Sequence, residues 1–314
     1  MVDTHRPLPD AVRTRRAGGR TLACPAGDMA SDVTRHLIDS HLHIWERARN
    51  PQNWIDPATM SAIDRDFGPE AAVGELRASG VDGCVIVQCV NKFSETLDLL
   101  DAARSVPMIL GVVGWVDLHA DVSAQLDALR AAPGGEHLVG VRHVVTMEAD
   151  SDWLGRAHVV RGLTSLASTG LPFDVVVEPW QLPLVKTLTQ SIESATFVLD
   201  HLGNPPIASS SLAQWSADLA ALATCENVFA KVSGLITKDD WQHWSVDRLR
   251  PVVDHAIETF GPSRLMFGSD WPLAELAGGY RPWKTAYLQL TDALTPEEQA
   301  LIDAESASAV YGLG

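Results

Sequence analysis

From His36 onward, short runs of almost unbroken apolar residues alternate with longer stretches in which apolar positions recur every three or four residues. The first pattern is what a strand covered on both faces requires; the second is one face of a helix. The apolar runs are HLIDSHLHIW, CVIVQCV, MILGVVGWVDL, LVGVRHVVT, FDVVVEP, TFVLDHLG, VFAKVSGL and LMFGSDWP, beginning at residues 36, 84, 108, 138, 173, 196, 228 and 265. Between them, Pro69 opens a segment with Ala72, Leu76 and Ala78, SETLDLLDAARS follows the second run, and DVSAQLDALRAA is stopped by PGG. The final segment, TPEEQALIDAESASAVYGL, has Thr295 and Glu298 at capping-box spacing, Pro296 at the first helical position and Gly312 as its stop. Eight strand–helix units predict an α/β fold, a (β/α)8 TIM barrel spanning residues 36–314. An open doubly wound sheet is the alternative, but no strand is followed by the Gly-rich phosphate loop that usually marks it.

Composition agrees with one large globular domain. The chain has 314 residues, 46% of them hydrophobic and 20% charged, enough to bury a full core without disulfide staples. Its four cysteines, Cys24, Cys84, Cys89 and Cys225, have no metal or framework spacing, which fits a reducing cytoplasm. A net charge of −16 disfavours nucleic acid and anionic membrane as partners. No segment has the length of a membrane span. A small molecule is the expected partner, and a homo-oligomer is an admissible assembly. The first 36 residues differ from the rest, with six Arg against four Asp. Arg15 and Arg16 lack the apolar run of an export signal behind them, so residues 1–35 read as a disordered extension, and Met29 is an alternative translation start.

In a barrel the catalytic groups come from strand C-termini. Those ends carry His41 and His43, Gln88 and Asn91, Trp115 and Asp117, Arg142 and His143, Glu178, Asp200 and His201, Lys231 and Ser233, and Ser269 and Asp270. Imidazoles and carboxylates dominate. His41 and His43, one residue apart on a strand, face one way and suit one metal ion or one carbonyl oxygen. Asp200 is expected to point away from His201 and to serve structure. Arg142 and His143 cannot both face the centre of a regular strand, and Lys231, inside an apolar run, needs an ionic partner such as Glu178 or a place at a cavity. Trp45, Trp54, Trp180, Trp241, Trp244 and Trp271 fall in or beside loops over this end, where their rings could stack on a sugar.

The segments IDSHLHIW, GVRH, VLDHLGNPP, KVSGLITKDDWQHW and LMFGSDWP, with a last helix ending AVYGL, resemble amidohydrolase family 2 barrels, most of all the sugar lactonases acting on L-fuconolactone or L-rhamnonolactone. The resemblance spans about residues 36 to 312. It implies that Asp270 activates the attacking water and that His201 polarises the carbonyl or protonates the departing oxygen. It also makes His143 the better catalytic candidate of its pair. Arg142, Lys231, Trp45, Trp241 and Trp271 are the expected substrate contacts. His41, His43 and Asp270 are the expected ligands of one divalent metal, zinc. Where metal-dependent relatives usually carry a further His after strand five, this chain has Glu178, Pro179 and Trp180, so we expect at most one weakly held ion. The function implied is hydrolysis of a sugar lactone to its aldonic acid. A decarboxylase of the same superfamily and a non-catalytic sugar-binding barrel are the competing readings.

Overall fold

A computed structural model describes residues 35–314. Eight parallel strands pair in chain order: β1 (Ile38–Leu42), β2 (Gly83–Val87), β3 (Ile109–Gly114), β4 (Leu138–Val144), β5 (Phe173–Val176), β6 (Phe197–Leu199), β7 (Val228–Val232) and β8 (Leu265–Phe267). The expected runs thus all contain strands, trimmed at their polar ends. Helices α1 (Pro69–Ser79), α2 (Phe93–Ser105), α3 (Val122–Ala131), α4 (Ala157–Ala167), α5 (Leu182–Ser191), α6 (Ala213–Ala223), α7 (Val246–Phe260) and α8 (Tyr280–Leu290) follow the strands in turn. This is the (β/α)8 barrel. Between β1 and β8 a parallel bridge joins Leu42 to Trp271, and His43 N–H donates to the Trp271 carbonyl at 2.7 Å. No helix among the described residues is long and apolar enough to cross a membrane. The expected disordered extension falls, but for Arg35, outside the described residues.

Two apolar layers result. The larger lies between strands and helices, with Leu76, Leu100, Leu126, Leu163, Leu222 and Trp283 fully buried. The smaller fills the barrel floor, where Ile38, Val85, Val113, Val198 and Met266 meet Ala304, Ala307 and Tyr311 of the C-terminal segment. That segment runs α9 (Pro296–Ala300), a wider π turn (Leu301–Glu305) and α10 (Ser306–Tyr311). Its start is the capping box read from the sequence: Glu298 N–H donates to the Thr295 hydroxyl, and Thr295 N–H donates to the Glu298 carboxylate. Gly312 ends it at φ 61°. Tyr287 OH donates to Asp303 at 2.6 Å and the Arg35 guanidinium donates to the same oxygen at 2.7 Å, tying the π turn to α8 and to the chain entering β1.

Cys84, Cys89 and Cys225 are buried free thiols. Gly134, between α3 and β4, has φ 77°, and a Cβ there would stand 2.0 Å from the Leu100 carbonyl oxygen. Gly134→Ala should therefore destabilise the barrel by about 1–3 kcal/mol or more, since left-handed strain and a backbone collision coincide. Urea unfolding checks this, and an unchanged midpoint would contradict the packing described.

Candidate active site

A β-bulge decides where the first histidine points. The β1–β2 register shifts between Asp39 and Leu42, so Ile38 faces the barrel floor and His41 also turns inward, breaking strict alternation. His43 lies just past the strand end. Their Nε2 atoms stand 3.1 Å apart. His43 Nδ1 donates to the Val87 carbonyl at 2.7 Å, and because a carbonyl only accepts, the proton sits on Nδ1 and Nε2 presents a lone pair. His41 is fully buried, with Asp200 Oδ1 at 3.2 Å from its Nδ1.

Asp270 completes the group from β8. Its backbone is left-handed at φ 57°, a conformation Asp tolerates, and its N–H donates to the His41 carbonyl at 2.8 Å. Asp270 Oδ1 lies 3.3 Å from His43 Nε2, 3.7 Å from His41 Nε2 and 3.9 Å from His201 Nε2. It is buried and has no hydrogen-bond partner. Burial opposes its charge, yet the surrounding imidazoles of His201, His43 and His41 hold it well below the usual carboxylate range. Burial also lowers His201 to about 4, against the pull of Asp270 and Asp200, and drives His41 well below its ordinary value. Both rings are therefore neutral at physiological pH. Gly234, at φ 64°, leaves the space they need: a Cβ there would sit 2.7 Å from His201 Nδ1 and 2.8 Å from Asp270 Oδ2.

A cavity of about 290 Å³ opens over these groups, lined by His43, Trp54, Cys89, Arg142, Thr146, Met147, Glu178, His201, Asn204, Lys238 and Asp270 among others. A larger acidic groove, about 440 Å³, lies beside it between the loop after β1 and α1 and α2, away from the imidazoles. Of the two, the smaller cavity is the one lined by His43, His201 and Asp270.

Several expected contacts lie elsewhere. His143 does not line the cavity: it stacks on Trp153 at 3.9 Å, accepts Trp115 Nε1–H at 3.0 Å and meets Glu148 at 2.7 Å. Arg142 takes the inward position of the pair, with Nη1 3.0 Å from Asp200 Oδ2. Lys231 is fully buried below the cavity and pairs with Asp174 and Asp200 rather than with Glu178. It is a mid-strand residue level with the start of β5, whereas Glu178 lies past that strand's end. Asp200 does not point away either, since His201 at φ 52° departs from the extended chain and leaves Asp200 against His41. Among the tryptophans, Trp54 lines the cavity. Trp45 and Trp271 are buried, donating to the Arg65 carbonyl and to Glu275, and Trp241 donates to the Thr237 carbonyl.

Other residues were not singled out in the sequence. Asn204 and Lys238 reach the cavity from the loops after β6 and β7. Asp39 accepts from His41 N–H at 3.1 Å, Ser269 N–H at 2.8 Å and Tyr280 OH at 2.9 Å. The available signal was a carboxylate inside an apolar strand, the same one that marked Lys231. Glu95, in the first turn of α2, accepts from Cys89 and Val90 N–H at 2.9 Å each and so fixes the loop after β2.

The donor set suits a divalent cation. The two imidazole Nε2 atoms and Asp270 Oδ1 converge, all three within 4.8 Å of one another, and that carboxylate oxygen has no hydrogen-bond partner. Three such ligands with an open side towards a cavity are the pattern of catalytic zinc. On the far side of the rings, the Val87 carbonyl holds His43 Nδ1 by the kind of outer hydrogen bond that orients such ligands, and Lys231 Nζ holds His41 Nδ1 at 3.1 Å.

Residues 38–313 match the amidohydrolase family. The chain is 34% identical over 279 residues to an L-fucono-1,5-lactonase of Burkholderia ambifaria, covering 87% of this chain and 94% of that protein. It is 36% identical over 253 residues to an L-fucono-1,5-lactonase of Burkholderia multivorans, covering 77% and 84%. A crystal structure of a Burkholderia multivorans amidohydrolase with bound zinc superposes with a TM-score of 0.83 at 33% identity, covering 89% of this chain and all of that one.

Two outcomes are expected. Dialysed protein should take up one zinc per chain, and His41→Ala, His43→Ala or Asp270→Asn should each weaken that binding more than about tenfold while His143→Ala leaves it unchanged. Titration against a chromophoric chelator checks this. Burial raises Glu95 from 4.5 to about 7, against its two backbone hydrogen bonds. The native state then holds a proton that the unfolded chain releases, so its contribution falls as pH rises from about 4.5 to about 7. Glu95→Gln should remove that decline. Urea midpoints between pH 5 and 8 that ran parallel in both proteins would contradict it.

Proposed function

The chain belongs to the amidohydrolase family, and from that premise we propose that it hydrolyses a sugar lactone of the L-fuconolactone or L-rhamnonolactone type to the open aldonic acid. The observation that carries the reading is the ionised Asp270 among neutral imidazoles at the mouth of the barrel. Support comes from the two lactonases of similar sequence and from a cavity of the right size for one sugar ring.

The residues divide the work as follows. Water adds to the lactone carbonyl carbon, and Asp270 accepts its proton. The ring acyl C–O bond then breaks and the departing alkoxide takes the proton held by Asp270, which restores the carboxylate. His201, being neutral, gives a hydrogen bond rather than its proton: with Nδ1 accepting from the Ser233 hydroxyl at 2.8 Å, its Nε2–H is free to face the carbonyl oxygen or the alkoxide. His41 and His43 with Asp270 would hold a zinc ion, which when bound polarises the carbonyl or acidifies water. Arg142 lines the cavity wall with its charge matched by Asp200, and Lys238, Asn204 and Glu178 offer charge and hydrogen bonds to ring hydroxyls.

Asp270→Asn should keep the fold and lose about 10²- to 10⁴-fold in kcat on L-fucono-, L-rhamnono- or L-galactonolactone, followed by acid release in a pH-indicator assay. His201→Asn should slow lactones more than a nitrophenyl ester, whose leaving group needs no such hydrogen bond. Release of CO₂ from resorcylic-type acids with no lactone turnover would replace this reading with a decarboxylase. Turnover of neither substrate would leave a binding barrel.

A further inference from the structure

Two valines on adjacent strands take part in neither apolar layer of the described residues. Val144 and Val176 are register partners on β4 and β5, two residues beyond the partners Arg142 and Asp174. Side chains two apart on a strand share a face, so the inward turn of Arg142 brings Val144 to the barrel axis and that of Asp174 brings Val176. Their neighbours Val141, Val145, Val175 and Val177 pack between strands and helices, whereas Val144 and Val176 are each 8% exposed and line the cavity. Thr146 and Met147, on the turn after β4, extend this wall, and Met147 is 44% exposed. The rest of the cavity differs in chemistry. Glu178, Asn204 and Lys238, from the loops after β5, β6 and β7, carry hydrogen-bonding groups. Trp54 and Leu273 come from the loops after β1 and β8, the strands that supply His43 and Asp270.

We propose that the wall of Val144 and Val176 seats the methyl group of a 6-deoxy sugar lactone and sets the preference for that substrate over its hydroxymethyl counterpart. The inference rests on the lactonase reading. In a 1,5-lactone the oxygen that departs is bonded to C5, and C5 carries the methyl group. The methyl therefore lies two bonds from the departing oxygen and goes wherever that oxygen is held. In the proposed mechanism His201 meets that oxygen. His201 follows β6, which pairs with β5 through Leu199 and Val175. The valines are thus the apolar surface on the leaving-group side, while Trp54 and Leu273 belong to the side of the attacking water. A methyl group against the valines gains burial and needs no partner. A hydroxymethyl group brings a hydroxyl to the same surface, where its hydrogen bond to water is lost without replacement.

The test is the ratio of kcat/KM for L-fucono-1,5-lactone to that for L-galactono-1,5-lactone, which differ only by the hydroxyl on C6. Taken on one preparation, this ratio does not depend on how much of the protein is folded. The wild-type ratio should be about 10 to 100, the discrimination an apolar pocket achieves against an added hydroxyl. Val176→Thr and Val144→Thr keep the shape of the side chain but put a hydroxyl in the wall. Each should lower the ratio about fivefold or more, the worth of one new hydrogen bond to the hydroxymethyl group. Leu273→Asn, a polar change on the opposite side, should leave the wild-type ratio. A wild-type ratio near unity, Thr variants with the wild-type ratio, or an equal fall in Leu273→Asn would each overturn the proposal. Turnover of both lactones at equal rates would overturn this inference alone, whereas turnover of neither would overturn the lactonase reading and this inference with it.

Discussion

The site depends on how the barrel closes. His41, His43 and Asp270 come from the two strands that meet at the seam, and Asp39 holds that seam with both carboxylate oxygens, accepting from the backbone of His41 and Ser269 and from the Tyr280 hydroxyl. Burial raises the Asp39 carboxyl to about 6, its hydrogen bonds pulling the other way. Such a group is costly unless every lone pair is used, and here its three donors lie on β1, on the turn after β8 and on α8. The same contact that closes the cylinder therefore sets the spacing between the histidines and the carboxylate.

The strands were legible because parallel strands covered on both faces have no polar alternation to hide them, and the capping box of the last helix was legible because it is purely local. His41, His43, His201 and Asp270 do converge, as their places at strand ends imply. Where the geometry departs from the expected side-chain directions, the cause is strand parity or backbone irregularity. The adjoining Arg142 and His143 offer two choices of parity, and nothing in GVRH says which side chain faces the axis. Asp200 looked outward because a regular strand would send it there, but the chain turns left-handed at His201. The tryptophans were misread for a different reason: an indole in a loop packs wherever its N–H finds a carbonyl or carboxylate, and Trp45, Trp241 and Trp271 found theirs away from the cavity.

Charge sets what the proposed hydrolysis can use at this cluster. On that proposal the ionised Asp270 accepts water's proton, and the neutral His201 beside it gives a hydrogen bond to the departing oxygen. Arg142, Lys231, Asp174 and Asp200 cancel beneath them, so Asp270 keeps its charge without a neighbouring cation drawn into contact. An interior arranged in this way is preorganised: the dipoles that meet developing charge are fixed before the substrate arrives.

The most direct test of this account is the fate of solvent oxygen. With a lactone substrate in H₂¹⁸O, attack of an Asp270-activated water at the carbonyl places one ¹⁸O in the carboxylate of the aldonic acid and none in its hydroxyl groups, read by mass spectrometry of fragments. Label in the newly freed hydroxyl would mean that the alkyl–oxygen bond is the one broken, and would contradict the assignment of Asp270 and His201 to the two sides of an acyl transfer.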